Sequence, residues 1–164
     1  MRVRVGKVGG RFVCAPLARG AGAAMSLVRA DGFCVIPQNR EGYEAGEIVN
    51  VELYKDPETL ANTLVSVGSH DLIIDLIGDR MAACYPGMGL SGTHVGSLGG
   101  LMALKRGETT LAPTHLLDEE TGEYNVAYLK KLFAGEEVSL IKGVQRIQGI
   151  MIKKGNPLGV TGIE

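Results

Sequence analysis

The order of elements along residues 64–117 constrains the fold more than any other feature. Leu64-Val65-Ser66-Val67 is a short apolar run of strand type, and Gly68-Ser69-His70-Asp71 is a turn. Leu72, Ile73, Leu76, Ile77, Met81 and Cys84 then recur at helical spacing until Pro86-Gly87 stops them, with Ser69 as the natural cap. A polar run, Ser91-Gly92-Thr93-His94, leads to a second helix that starts at Gly96-Ser97, with Ser97 placed to cap it. Leu98, Leu101 and Met102 share a face of that helix, and Gly107 ends it. Residues 109–117 supply a further strand. Strand, helix, strand, helix, strand is most economically folded as a parallel sheet with right-handed crossovers.

In such a sheet, ligands bind beyond the carboxyl ends of the strands. Those ends carry Ser69-His70, Gly96-Ser97 and Thr114-His115. Neighbouring parallel strands lie ~4.8 Å apart, so the groups can converge on one small ligand. The first turn of the second helix has N–H groups with no intrahelical partner and a partial positive charge, which suits an anion. Gly96, Gly99 and Gly100 let an anion or another backbone approach closely. The expected ligand-binding residues are Ser69, His70, Gly96, Ser97, Leu98, Thr114 and His115. Each has an ordinary reading as well: a serine before a helix is a cap, and a lone histidine is usually a surface or core residue. No catalytic residue is assigned, because the sequence displays no nucleophile with its base, no metal cluster and no Gly-x-x-x-x-Gly-Lys phosphate loop.

Residues 1–54 read differently. Residues 3–8 alternate, Gly9-Gly10 offers a hairpin turn, and residues 11–18 return as a second strand. After the glycine-broken residues 19–24, residues 25–30 allow a helical turn, residues 33–37 a buried strand, 38–46 a polar loop and 47–54 an alternating strand. Short strands in so few residues predict a small, partly open barrel or roll. Residues 55–62, polar and broken by Pro57, read as a linker or a short helical connector with few apolar residues, so the two regions are expected to fold independently. The fold class is therefore mixed: a small all-β barrel domain followed by an α/β lobe with a mainly parallel sheet.

Beyond residue 117, the acidic run Asp118-Glu119-Glu120-Thr121-Gly122-Glu123 lacks the ligand spacing of a calcium loop and reads as a solvated turn before a helix over residues 124–133. Residues 138–142, 144–147 and 149–153 read as strands or extended connection. With a net charge of −1 and no tryptophan, nucleic-acid binding is not expected. No apolar run reaches the ~18 residues of a membrane span, and Met1-Arg2-Val3-Arg4 lacks the apolar core of a signal peptide, which points to the cytoplasm. Cys14, Cys34 and Cys84 form no Cys-x-x-Cys pair, so they are expected to be buried thiols holding no metal.

Two resemblances follow from these segments. Met25-Ser26-Leu27-Val28-Arg29-Ala30-Asp31-Gly32-Phe33-Cys34-Val35-Ile36-Pro37, followed by Glu41-Gly42-Tyr43-Glu44-Ala45-Gly46-Glu47-Ile48-Val49-Asn50-Val51, resembles the C-terminal barrel domain of the gephyrin-type molybdopterin molybdotransferases. The resemblance implies a barrel over residues 1–54 that closes one side of a cleft shared between two subunits, with catalysis centred on a separate larger domain. Family members usually carry hydroxyl residues before the helical turn, where this chain has Gly20-Ala21-Gly22-Ala23-Ala24. Val67-Gly68-Ser69-His70-Asp71-Leu72, the stretch Gly96 through Glu108 and the stretch His115 through Val126 are similar to the periplasmic-binding-protein-like domain appended to some molybdotransferases and to some molybdate-type transcription regulators. That similarity implies a fold of two lobes clamping a small anion, of which residues 63–164 would be about one lobe.

The expectation that follows is a C-terminal piece of a molybdenum cofactor biosynthesis protein whose lobe binds an oxyanion or a pterin and serves molybdate insertion. The alternative is a sensor module that binds an anion and reports to a partner without catalysis. No cofactor is assigned to the chain itself, and molybdate or molybdopterin is the candidate ligand. The remaining domains of a parent protein and a second copy of the chain are the candidate partners.

Overall fold

The computed structural model describes residues 1–17, 24–145, 147 and 149–162. Residues 19–23 of the glycine-broken segment, and Ala18 at the expected end of the second strand, lie outside them.

Strand β1 (Arg2–Val8) pairs antiparallel with β2 (Arg11–Pro16), Val8 standing opposite Arg11. The turn between them is therefore Gly9-Gly10 alone, with φ of 55° and 82°, the left-handed pair that a two-residue hairpin requires. A helical turn, α1 (Met25–Arg29), precedes β3 (Gly32–Cys34), which pairs with the other edge of β1, and β4 (Val51–Leu53) lies beyond it. The sheet order is β2-β1-β3-β4. The predicted barrel is not closed: among the described residues this is an open four-stranded sheet with β2 and β4 as its edges. The strands expected over residues 33–37 and 47–54 shorten to β3 and β4 because the chain beyond Cys34 runs into Pro37, which has no N–H to offer a ladder. Side chains hold that loop instead. Arg40 binds Glu47 through both carboxylate oxygens, at 2.7 and 2.8 Å, and the Tyr43 hydroxyl donates to the Val35 carbonyl at 3.0 Å.

β1 is covered on both faces. Val3 and Val5 pack with Cys34 and Leu60 in one core cluster. Leu60 belongs to α2 (Pro57–Ala61), a short helix inside the expected linker, where Asp56 caps by accepting from the Glu58 N–H at 2.8 Å. On the opposite face, Gly6 lies so close to β5 (Thr63–Gly68) that a Cβ there would meet the Val65 side chain and the Thr63 carbonyl. Val8 and Val13 pack on a second cluster of Val65, Val67 and Ala103. Arg4 also reaches across, donating to the Ser91 hydroxyl at 3.1 Å and the Leu90 carbonyl at 3.3 Å. The linker does carry few apolar residues, and the two regions nonetheless pack on each other through β1, which contributes to both cores.

Asp31, 1% exposed, fastens the first sheet. Its carboxylate accepts from the Val5 N–H at 2.9 Å and pairs with Lys55 at 2.6 Å and Arg4 at 3.2 Å, while its own N–H and carbonyl bond to Val3 and Tyr54.

β5 is followed by α3 (Leu72–Cys84) and β6 (Gly89–His94), which runs parallel to β5 with Gly68 opposite His94. The strand expected from residue 109 is present as a parallel bridge, Ser66 to Leu111, on the other side of β5. The Thr110 and Leu111 N–H groups donate to the Val65 carbonyl, Val67 N–H to Leu111, and Ser69 N–H to Pro113. α4 (Ser97–Lys105) and α5 (Val126–Leu132) complete the elements. The acidic run closes as a turn, with the Thr121 hydroxyl on the Asp118 carboxylate at 2.8 Å.

Two expectations are corrected here, and a third, strands or extended connection over residues 138–153, narrows to extended connection among the described residues. α3 sets Ile74 and Gly78 toward β6, leaving Leu72, Leu76 and Ile77 exposed, because Gly78 admits the Leu90 side chain within 3.4 Å of where its Cβ would be. Cys14 and Cys84 are exposed and only Cys34 is buried. Among the described residues of 138–153, no strand forms, and Ile141, Ile147 and Met151 stand in solvent, since an extended segment needs a ladder partner to become a strand. Among the described residues, no helix is long and apolar enough to cross a membrane.

Candidate functional site

The carboxyl ends of β5 and β6 meet the start of α4 around Gly68. Its carbonyl accepts from the N–H groups of Val95 at 3.0 Å and Gly96 at 3.2 Å. A Cβ on Gly100 would fall 2.5 Å from the Gly68 Cα and from the Val67 carbonyl oxygen, so α4 lies directly on the end of β5. This contact, rather than side-chain size, selects the buried face of α4: Ser97, Gly100, Leu101 and Ala103 turn inward, while Leu98 is 53% exposed and Met102 also faces outward. Leu98 is thereby separated from the Leu101 face with which it was grouped. Gly96 turns the chain into the helix with φ of 79°, a conformation glycine adopts without strain.

Neither serine is a cap. α3 is capped by Asp71, whose carboxylate accepts from the Ile73 N–H at 3.0 Å. The cap position of α4 is Gly96, with no side-chain bond, and Ser97 is the first residue inside the helix. Freed from capping, both hydroxyls turn to His115. Ser69 Oγ lies 2.9 Å and Ser97 Oγ 3.2 Å from His115 Nδ1, and the His115 backbone N–H donates to Ser97 Oγ at 3.1 Å. Ser97 is buried, Ser69 is half-buried and His115 is exposed, so the trio forms a floor open to solvent.

The other expected residues separate. Thr114 donates to Asn125 Oδ1 at 3.1 Å, and the same oxygen accepts the Leu116 N–H at 2.8 Å. Asn125, with φ of 70°, returns its own N–H to the Leu116 carbonyl at 2.7 Å, and so fixes the loop that presents His115. His70 turns to His94, Nδ1 to Nε2 at 3.1 Å, with the rings edge-on and their centroids 4.3 Å apart. His94 and Asn125 were not singled out from the sequence. For His94 the signal is present, because it ends the second parallel strand, and the carboxyl ends of such strands are where ligand residues gather. Asn125 holds its backbone contact across an intervening turn, and nothing in its local pattern announces it.

Burial pushes the His94 imidazole below its ordinary pKa, the neighbouring His70 and Arg29 push the same way, and Asp75 opposes them. Chemically, the floor offers two hydroxyls, one imidazole and the first-turn amides of α4, which have no acceptor within the helix. The partners of the His115 ring here are hydroxyls rather than a carboxylate, so the set resembles a cradle of donors for an anion more than an oriented nucleophile and base. Among the described residues, no group of at least three histidine, cysteine or acidic side chains converges as a metal site.

The family described as the MoeA C-terminal region (domain IV) matches residues 1–54, and the PBP superfamily domain matches residues 78–164. The second match contains Gly96, Ser97, Thr114 and His115, and begins after Ser69 and His70. The "Uncharacterized protein YvgK" of Bacillus subtilis (strain 168) is 31% identical over 107 residues, 65% of this chain and 34% of that protein. The "Putative molybdopterin biosynthesis protein MJ0666" of Methanocaldococcus jannaschii is 53% identical over 36 residues, 22% of this chain and 9% of that protein. The chain thus spans about a third or less of the relatives it matches. No solved structure matches it significantly. With residues 78–164 inside the match, more than half of its length, the chain belongs to the PBP superfamily domain family, and its residues 1–54 match the MoeA C-terminal region.

Proposed function

We propose that this chain is part of a cytoplasmic molybdenum cofactor biosynthesis protein, and that its α/β lobe binds a tetrahedral oxyanion such as molybdate, or the anionic end of a pterin, in support of molybdate insertion. The observation that carries the reading is the convergence of Ser69 and Ser97 on His115 at the start of α4, in a chain that also matches the MoeA C-terminal region. An oxyanion seated there accepts from the α4 amides and the two hydroxyls, the donor types that favour anions at a helix start. The His115 ring supplies a further N–H donor.

The test is a titration of the protein with molybdate, tungstate, sulfate and phosphate, followed by amide shifts in NMR spectra. Saturating shifts at residues 69–71, 96–99 and 114–116 support the site. Shifts elsewhere, or none at anion concentrations of about 1 mM, the range of weak sites, overturn it. Ser97→Ala is expected to weaken binding, because it removes one hydroxyl donor and leaves the His115 N–H without its acceptor.

A further inference from the structure

His70 and His94 are not part of the serine floor, and their arrangement has its own chemistry. His70 lies just past the end of β5, His94 is the last residue of β6, and the parallel register sets His94 opposite Gly68, two residues from His70. Both side chains are exposed, so a bound ion there keeps access to water. The facing nitrogens, His70 Nδ1 and His94 Nε2, are 3.1 Å apart. Two imidazole nitrogens bound to one zinc ion at about 2.0–2.1 Å would subtend roughly 95–102° at that separation. That angle lies between the right angle of a square or octahedral set and the ~109° of a tetrahedron, the range that imidazole-binding divalent ions adopt.

We propose that His70 and His94 form a two-imidazole site for a borderline divalent cation of the Zn2+ or Ni2+ class, with water completing the coordination. No third protein ligand joins them among the described residues, so this is an open site. Asp75 is near enough to favour positive charge at His94, Arg29 disfavours it, and the Asp71 carboxylate is engaged with the Ile73 N–H. His94 ends β6 and His70 follows the end of its hydrogen-bonded neighbour β5, so the two rings project from adjacent backbone segments and already stand nitrogen to nitrogen. The site is independent of whether the serine floor binds an oxyanion.

The experiment uses the full chain without an affinity tag, labelled with 15N-histidine, titrated with ZnCl2 at neutral pH and observed through its imidazole nitrogens. The expected result is that the His70 and His94 nitrogens shift together and saturate near one equivalent, while His115 does not move. His70→Gln and His94→Gln should each weaken binding by about tenfold or more. His70 is exposed, so its variant remains informative if the His94 variant fails to fold. Replacing the exposed Cys14 and Cys84 by serine should leave the titration unchanged. Shifts that never saturate, shifts led by His115, binding unaffected by His70→Gln, or binding lost with the cysteines would each overturn the site.

Discussion

Leu60→Ala tests whether the short connecting helix is a tether or a structural element. Leu60 is 1% exposed and packs with Val3, Val5 and Cys34, with Met1, Tyr43, Val49 and Val51 around them. Full burial of a leucine side chain is worth about 1.5–3 kcal/mol in transfer alone, and truncation in a core costs about 2–5 kcal/mol once the cavity is counted. Val3 and Val5 are held by the long β1–β2 ladder and Cys34 by pairing with Val51, so the walls cannot close on the gap. α2 is short and can lean inward, which removes part of the cost. The balance is about 3 kcal/mol, equivalent to a fall in Tm of about 6–12 °C for a chain of this size. Urea unfolding followed by circular dichroism should show a lower midpoint at an unchanged slope, in one transition, because β1 packs into both cores. A loss below about 1 kcal/mol, or two separate transitions of which only one moves, would refute the reasoning.

Other consequences can be checked directly. Asp31→Ala strands the Val5 N–H and removes the buried carboxylate that offsets the charges of Arg4 and Lys55, and should cost about 3–5 kcal/mol in denaturant unfolding, with Asp31→Asn costing less because one acceptor remains. Gly100→Ala puts a methyl group into the backbone of Val67 and Gly68, so it should destabilise the chain by about 1–3 kcal/mol and shift the amides of residues 96–99 in NMR spectra. His94 has a folded pKa below its unfolded value of about 6.5, so the unfolded chain takes up the proton first. Its contribution to stability is therefore fully present above that value and lost as the pH falls through the window beneath it. His94→Gln should flatten that part of the stability profile.

The sequence by itself determined the order of elements, both resemblances and the parallel β5–α3–β6 unit, because these rest on local periodicity, turn residues and contiguous motifs. The Gly9-Gly10 hairpin was legible for the same reason, since a two-residue turn requires positive φ and glycine adopts it. Of the expected ligand residues, Ser69, Ser97 and His115 were also legible as neighbours, since they lie at the ends of chain segments that the topology brings together. Tertiary structure decided what those side chains do. Asp71 took the cap from Ser69, the glycine contact at Gly68 and Gly100 turned Leu98 outward, and Asn125 drew Thr114 away from the floor. It also decided that β1 is buried on both faces, because the fit of Val65 against Gly6 depends on two segments far apart in sequence. Alternation tells which residues share a face of a strand, but what covers each face is set by close packing between distant elements, and a void or clash of a single methyl group changes the answer.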